Sequence, residues 1–421
     1  MITANISTPL LGLVDTAVLG HLDNALFLSA VAVAGLIFSF LFWGFGFLRM
    51  GTSGLTAQAF GSKNDLELQA ILFRALFIAC GISLFILFLQ KPIATLSFYL
   101  ISSPSDIEAI AQQYFFIRIW SAPATLCQYV ILGWFLGCQN TKIPLLIIIV
   151  TNLSNIGLDL LFVNHYRMHA DGVALASVIA EYTGLTIGSL FLIKFLPRSQ
   201  PSISWRLIFQ AEKIKAMLLI NSHLFIRTLC LIFTFSFFTL QGAKLGSNIL
   251  AANAILLNFQ TLMAYVLDGF AHAAEALTGR ALGAKNKALF QKSFKTAGLW
   301  SLLTALSFSL LFLFFGSPII NILTHLSIVR EQAYSYLPWV AILPLASYFS
   351  FLMDGIFIGA TLSKQMRDAI LLALLFVFLP TWYFSQHLGN HGLWLSLTVF
   401  MLMRSLIMLG FYLQNRRKLF A

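Results

Sequence analysis

An aspartate, Asp15, interrupts PLLGLVDTAVLGHL (residues 9–22), a stretch otherwise fit for lipid. An ionised carboxylate in hydrocarbon costs at least about 2.5 to 3.5 kcal/mol on insertion scales, so it needs a compensating partner or a function. A second apolar stretch, IPLLIIIVTNLSNIGLDLLFV, carries Asn152, Asn155 and Asp159 at spacings of three and four, which sets all three on one helical stripe. The next adds Ser177 and Glu181, four apart. Together with Asp15 these oxygens form a pocket suited to a proton or a small hard cation such as Na⁺. The competing reading is interhelical hydrogen bonding that only holds helices together. It weighs more on the asparagines and Ser177 than on the two aspartates, because no cation in the first half of the chain is spaced to neutralise both.

The second half has a parallel set. Asp268, His272 and Glu275 stand at i, i+4 and i+7 on one expected helix, and Asp354 lies on another with Ser347 and Ser350 on its face. Three ligands from a single helix rarely surround an ion, so no structural metal is expected there. Arg227, in NSHLFIRTLC, is placed to pair with Glu275 or Asp354, which would make these acids partly a structural ion pair. Arg49 and Arg118 are candidates for the same duty towards the acids of the first half. The remaining histidines, among them His165, His169, His325, His387 and His391, are expected in solvated loops and receive no function.

What must position these groups follows from composition. Hydrophobic residues make up 59% of the 421 and charged residues 10%, far outside the range of soluble globular chains, and mean hydropathy is +0.87. Helices of about 20 residues cross about 30 Å of hydrocarbon. Twelve such spans are expected, at 1–22, 27–50, 69–90, 111–138, 143–163, 172–196, 214–240, 248–279, 293–323, 334–360, 369–386 and 392–413, with a shorter interfacial piece at 93–102. The formal charge of +11 is a topology signal rather than a nucleic-acid signal. Eighteen of the 26 basic residues, such as Lys63, Lys142, Lys194 and Lys285, fall on one side, and only Lys91, Arg167, Lys244 and Arg330 on the other. The richer side is cytoplasmic by the positive-inside rule, and both termini lie there. No basic segment precedes the first apolar run, so no cleavable signal peptide is expected; that run looks short at its start.

The polar connector PRSQPSISWRLIFQAEK (197–213) divides the chain into an N-lobe, 1–196, and a C-lobe, 214–421. Sliding one half over the other by 222 positions lays AFGSKN (59–64) on ALGAKN (281–286) and GWFLG (133–137) on GIFIG (355–359). Ordered matches of this kind argue for duplication. Six spans per repeat give both halves the same orientation, an arrangement that suits a transporter rocking two lobes about a central site. The chain is read as a monomer. Cys80, Cys127, Cys138 and Cys230 lie in apolar spans without metal or redox spacing and are expected to pack helices. A membrane-embedded enzyme would need a nucleophile with its base or a clustered metal site, and the sequence offers neither HExxH nor a His-rich arrangement. GxxxxGK[ST] is also absent, which removes ATP-driven transport. A flippase for lipid-linked precursors would line its cleft with cations, for which only Arg49, Arg118 and Arg227 are candidates.

Taken together, VDTAVLG, GWFLGCQNTKIP, NLSNIGLD and IRTLCLIFTFSFFT resemble the multidrug and toxic compound extrusion (MATE) family, in its DinF-like branch, over nearly the whole chain. The resemblance implies an all-α integral membrane fold of twelve helices in two pseudo-symmetric six-helix lobes forming a V. It also implies antiport of organic cations or other toxic compounds against H⁺ or Na⁺ in the bacterial cytoplasmic membrane. The substrate class would be small cationic amphiphiles, with no cofactor other than Na⁺ as a coupling ion. In this branch the positions matched by Asp15, Asn155 and Asp159 make up the coupling-ion site of the N-lobe, and Ser177 stands near a contributing hydroxyl. Asp354 matches an aspartate of the NorM-like branch's C-lobe cation site, but the glutamate of that site is here Arg227, which argues against such a site. Bending of the first helix at its proline, matched by Pro9, is the movement the resemblance implies.

Overall fold

A computed structural model describes residues 25–101, 103–196, 205–416 and 418–420. Asp15 and Pro9 therefore lie outside the described residues, as does the first expected span. The described chain is helical throughout. In order, the α-helices are α1 (Ala25–Gly44), α2 (Phe47–Gly61), α3 (Asp65–Phe88), α4 (Gln90–Ile101), α5 (Ser105–Arg118), α6 (Ala122–Gly137), α7 (Lys142–Asp159) and α8 (His169–Phe195). They continue with α9 (Trp205–Ile208), α10 (Ala211–Lys244), α11 (Ser247–Gly283), α12 (Lys287–Leu323), α13 (Ser327–Gly359), α14 (Ser363–Ala373), α15 (Leu379–Ser385) and α16 (Asn390–Asn415). Eleven stretches, several made of two consecutive helices, are long and apolar enough to cross a bilayer among the described residues. Backbone groups in lipid must be satisfied within the chain, which is why the spans are helices. Large apolar side chains such as Phe88, Leu313, Ile322 and Phe376 stand exposed, as a lipid-facing surface requires.

The chain divides into two compact units, one holding residues 64–217 with most of the preceding chain, the other holding 218–421 with Gly61–Lys63. The passage between them falls at Met217–Leu218, beyond the end of the connector expected at 213 and inside α10. Arg74 explains why the connector belongs to the first unit. This side chain, 2% exposed, donates from Nε to the Ile208 carbonyl (2.9 Å) and from Nη2 to the Leu207 carbonyl (2.6 Å), satisfying the C-terminal end of α9. Its Nη1 meets Glu67 Oε1 at 2.8 Å, and Glu67 Oε2 receives Lys213 Nζ at 2.6 Å.

The duplication read from the sequence reappears in the geometry. Lys63 and Lys285 both take left-handed backbone conformations (φ 55° and 51°), and each is followed by an asparagine that caps the next helix. Asn64 accepts from Glu67 N at 3.0 Å, and Asn286 from Leu289 N at 2.9 Å. Gln139 and Thr361, again 222 apart (361 − 139), share φ values of 61° and 54°. Helix contacts repeat too. A Cβ on Gly133 would stand 2.4 Å from the Arg49 carbonyl oxygen, and one on Gly355 2.0 Å from that of Ala271. Both the glycine and the carbonyl positions differ by 222 (355 − 133 and 271 − 49), so each half presses α6 on α2, or α13 on α11, at the same bare glycine.

Within the first unit α7 packs on α8, and α8 also meets α5 and α6; within the second, α11 packs along α13, which meets α12 and α16. The core of the second unit is built from Leu256, Met263, Val340, Leu343, Trp394 and Phe400, all buried. Two helices widen: residues Leu160–His165 after α7 and Leu374–Phe378 after α14 form π turns. The expectation that the histidines sit in loops holds for His325 and is corrected for four others: His165 closes the π turn after α7 and His387 lies in a single helical turn at Gln386–Leu388. His169 begins α8 with its ring stacked on Phe27 at 4.5 Å, and His391 lies in α16, accepting from Trp339 Nε1 at 3.1 Å.

Candidate functional site

The stripe predicted from spacing is present. Asn155 and Asp159, one turn apart on α7, are 2% and 0% exposed, and Ser177 on α8 is 7% exposed. With its amide NH2 facing the carboxylate, Asn155 donates to Asp159 Oδ2 at 3.0 Å and accepts from Ser177 Oγ and the Ser177 backbone NH, each at 3.2 Å. The opposite amide orientation sets a carbonyl oxygen against a carboxylate, which electrostatics disfavours. Asp159 is the last residue of α7 before the π turn, and π turns inside helices recur at functional sites. Asn152, the third polar residue of the sequence stripe, is half-buried rather than enclosed.

Glu181, one turn past Ser177, faces a different neighbour. Gln128 Nε2 on α6 donates to Glu181 Oε2 at 2.9 Å and to the Glu181 carbonyl at 2.6 Å. Arg118 lies within electrostatic reach of Glu181. The same guanidinium donates to Tyr114 Oη and stands over the Phe38 ring at 5.2 Å, so it is held by an aromatic face as well as by charge.

In the second unit the acids and cations meet as a tight cluster. Asp354 Oδ2 receives both Arg227 Nη2 and Arg404 Nη2, and all three side chains are buried. Asp268, half-buried on α11, lies within electrostatic reach of Arg404. Of the two acids expected as partners for Arg227, Asp354 takes that place; Glu275 instead has His272 Nδ1 3.6 Å away, one turn back on its own helix. Ser347 and Ser350, on the Asp354 face as expected, bond to carbonyls of their own helix, Leu343 at 2.7 Å and Ser347 at 2.8 Å. No group of His, Cys, Asp and Glu able to hold a metal occurs among the described residues.

Sequence reasoning left Arg404 and Gln128 without a role. An arginine within an apolar span was itself a signal for Arg404, whereas a single neutral amide such as Gln128 carries none. It also missed that Cys80 and Cys127, far apart in sequence, bring their sulfurs to 3.7 Å between α3 and α6.

The arrangement places a buried carboxylate against an amide and a hydroxyl in one unit and a self-neutralised charge cluster in the other. Comparison with known proteins gives these features a family context. The MatE family model matches residues 1–161 and 224–383. DNA damage-inducible protein F of Escherichia coli is 41% identical over 99% of this chain and 91% of its own length. Human multidrug and toxin extrusion protein 1 is 25% identical over 96% of this chain and 71% of its own. Among solved structures, a MATE in a bent conformation matches with a TM-score of 0.90 at 17% identity, covering 100% of this chain and 93% of that one. The Vibrio cholerae MATE transporter VcmN, in its bent form, matches with a TM-score of 0.88 at 22% identity, covering 100% and 95%. The fold is that of the MATE transporters, a multi-pass all-α membrane fold, and the chain belongs to the MatE family of multidrug efflux transporters rather than to an enzyme family.

Proposed function

We propose that this transporter is a secondary antiporter of the bacterial cytoplasmic membrane, exporting small cationic amphiphiles in exchange for a coupling cation bound at Asp159. Asn155 orients the carboxylate, Ser177 fixes Asn155, and Asp15 is the proposed second acid. Both termini are assigned to the cytoplasmic face by the basic-residue bias.

The observation that carries this reading is the contrast in neighbours: Asp159 is fully buried in a membrane-crossing helix beside an amide and a hydroxyl, while Asp354 is neutralised by two guanidiniums. A buried carboxylate of the first kind is poised to exchange a cation with each conformational change. A proton suits it better than Na⁺. A hard cation gathers several oxygens at once, but the Asn155 carbonyl is already committed to the Ser177 hydroxyl and backbone NH. The engagement of Arg227 and Arg404 by Asp354 also weighs against a cleft lined with cations for phosphate groups. Uptake of ethidium into proteoliposomes, with a pH gradient and a Na⁺ gradient imposed separately, tests the reading. Transport driven by the pH gradient is expected; dependence on neither gradient overturns it.

A further inference from the structure

The polar stripes of α7 and α8 continue past the Asp159 cluster. Asp159, Asn155 and Thr151 follow one another at single turns along α7, and Ser177, Glu181 and Gly184 along α8. Glu181 lies about 6 Å further along α8 than Ser177, towards the end that carries Lys194 and away from the end nearest Asp159. Its carboxylate is turned to α6, where Gln128 binds both the side chain and the backbone of the same residue. Gly184 is what admits this amide: a Cβ there would stand 2.8 Å from Gln128 Nε2 and 2.1 Å from Thr151 Oγ1. The charged and titratable groups around Glu181 come from known elements. Arg118 comes from α5, beside Tyr114; Tyr129 comes from α6, within reach of both Glu181 and Arg49 of α2. α7 contributes Asp159 and, at its start, Lys142, and α1 has no charged residue. A carboxylate inside a membrane-crossing span, bonded together with its own backbone carbonyl by one amide, is costly for a part that only packs helices.

We propose that Glu181 is a further proton-carrying carboxylate of the first unit, receiving the proton released at Asp159 and passing it towards the basic face, with Gln128 as its positioning residue. The step is a proton transfer: the O–H bond at the Asp159 carboxyl breaks and one forms at the Glu181 carboxylate. No redox change is involved. The proposal rests on the proton-antiport reading above.

The test is ethidium uptake into proteoliposomes under an imposed pH gradient, recorded over a range of internal pH for wild type, E181Q and E181D, with equilibrium ethidium binding measured on the same purified proteins. Loss of a proton-transfer group lowers the rate by about 10²-fold. E181Q is therefore expected to lose gradient-driven uptake to that extent while binding ethidium as wild type does. E181D is expected to recover part of the rate with a displaced pH profile. A wild-type rate and pH profile in E181Q overturns the proposal and leaves the antiport reading standing. Loss of rate with loss of binding and an unchanged profile in E181D shows a packing role and overturns it too. Wild-type protein that ignores the pH gradient overturns both. Should E181Q fail to fold, the E181D profile decides alone: displaced supports, unchanged overturns.

Discussion

Arg227 and Asp354 form a buried ion pair that Arg404 completes on the same carboxylate oxygen. Two halves that share their turns, caps and glycine contacts have thus diverged in polar chemistry. The first keeps an acid against an amide that a hydroxyl holds; the second has closed its acid with its own cations.

Breaking this cluster from one side should be costly. Asp354→Asn leaves two guanidiniums buried without their counter-charge, a loss of about 3–5 kcal/mol for a buried pair. Thermal unfolding in detergent is expected to show a large fall in Tm. Replacing all three residues together, as Arg227→Met, Asp354→Leu and Arg404→Met, should recover much of it. An unchanged Tm for Asp354→Asn would mean that the cluster is solvated rather than structural.

Glycine contacts between helices give a second prediction. Gly355→Ala would set a methyl 2.0 Å from the Ala271 carbonyl oxygen, so α11 and α13 must move apart, while Gly410 has nothing within 4 Å of the same position. Gly355→Ala should sharply lower the yield of monodisperse protein. Gly410→Ala, inside a helix, should be neutral or stabilising by about 0.5–1 kcal/mol. Equal yields for the two variants would contradict the packing described.

Much of this was legible in the sequence because lipid leaves few options. Apolar length gave the spans, and a polar residue inside one had to face protein, so Asn155 and Asp159 could be grouped from helical spacing, whereas Ser177, on another helix, was tied to them by the family resemblance. The offset of 222 positions predicted shared turns because Lys63 and Lys285 precede the same capping asparagine. What escaped depends on how separate helices meet. Spacing places Glu275 and Asp354 on their helices but does not say which of them faces Arg227. Nor does it bring Arg404 to Asp354, Gln128 to Glu181, or Cys80 to Cys127. The π turn after Asp159 also has no local mark, since LLFVNH reads as ordinary helix.

The Arg74 clamp is testable by proteolysis. Arg74→Ala would remove the donors to Leu207 and Ile208 and one partner of Glu67, a loss of roughly 1–3 kcal/mol for buried groups left unsatisfied. Limited trypsin digestion at Arg206 is expected to be faster than in wild type. Equal rates would show that the connector is held by other contacts.

Cys80 and Cys127, with sulfurs 3.7 Å apart, should join readily. Treatment with copper phenanthroline, the oxidant, is expected to give a disulfide between α3 and α6, found by mass spectrometry of the digested protein and absent from Cys80→Ser. Cross-linking of Cys127 to another cysteine instead would contradict the α3–α6 packing.

The central claim is that the cation exchanged for substrate binds at Asp159, and Asp159→Asn tests it most directly, being close in shape and without charge. The measurement is proton flux into proteoliposomes, read with a trapped pH dye on addition of ethidium to wild type and Asp159→Asn. Substrate-dependent proton movement in wild type and none in Asp159→Asn, with the variant still folded by its melting profile, is the predicted result. Equal proton movement in the two proteins would contradict it.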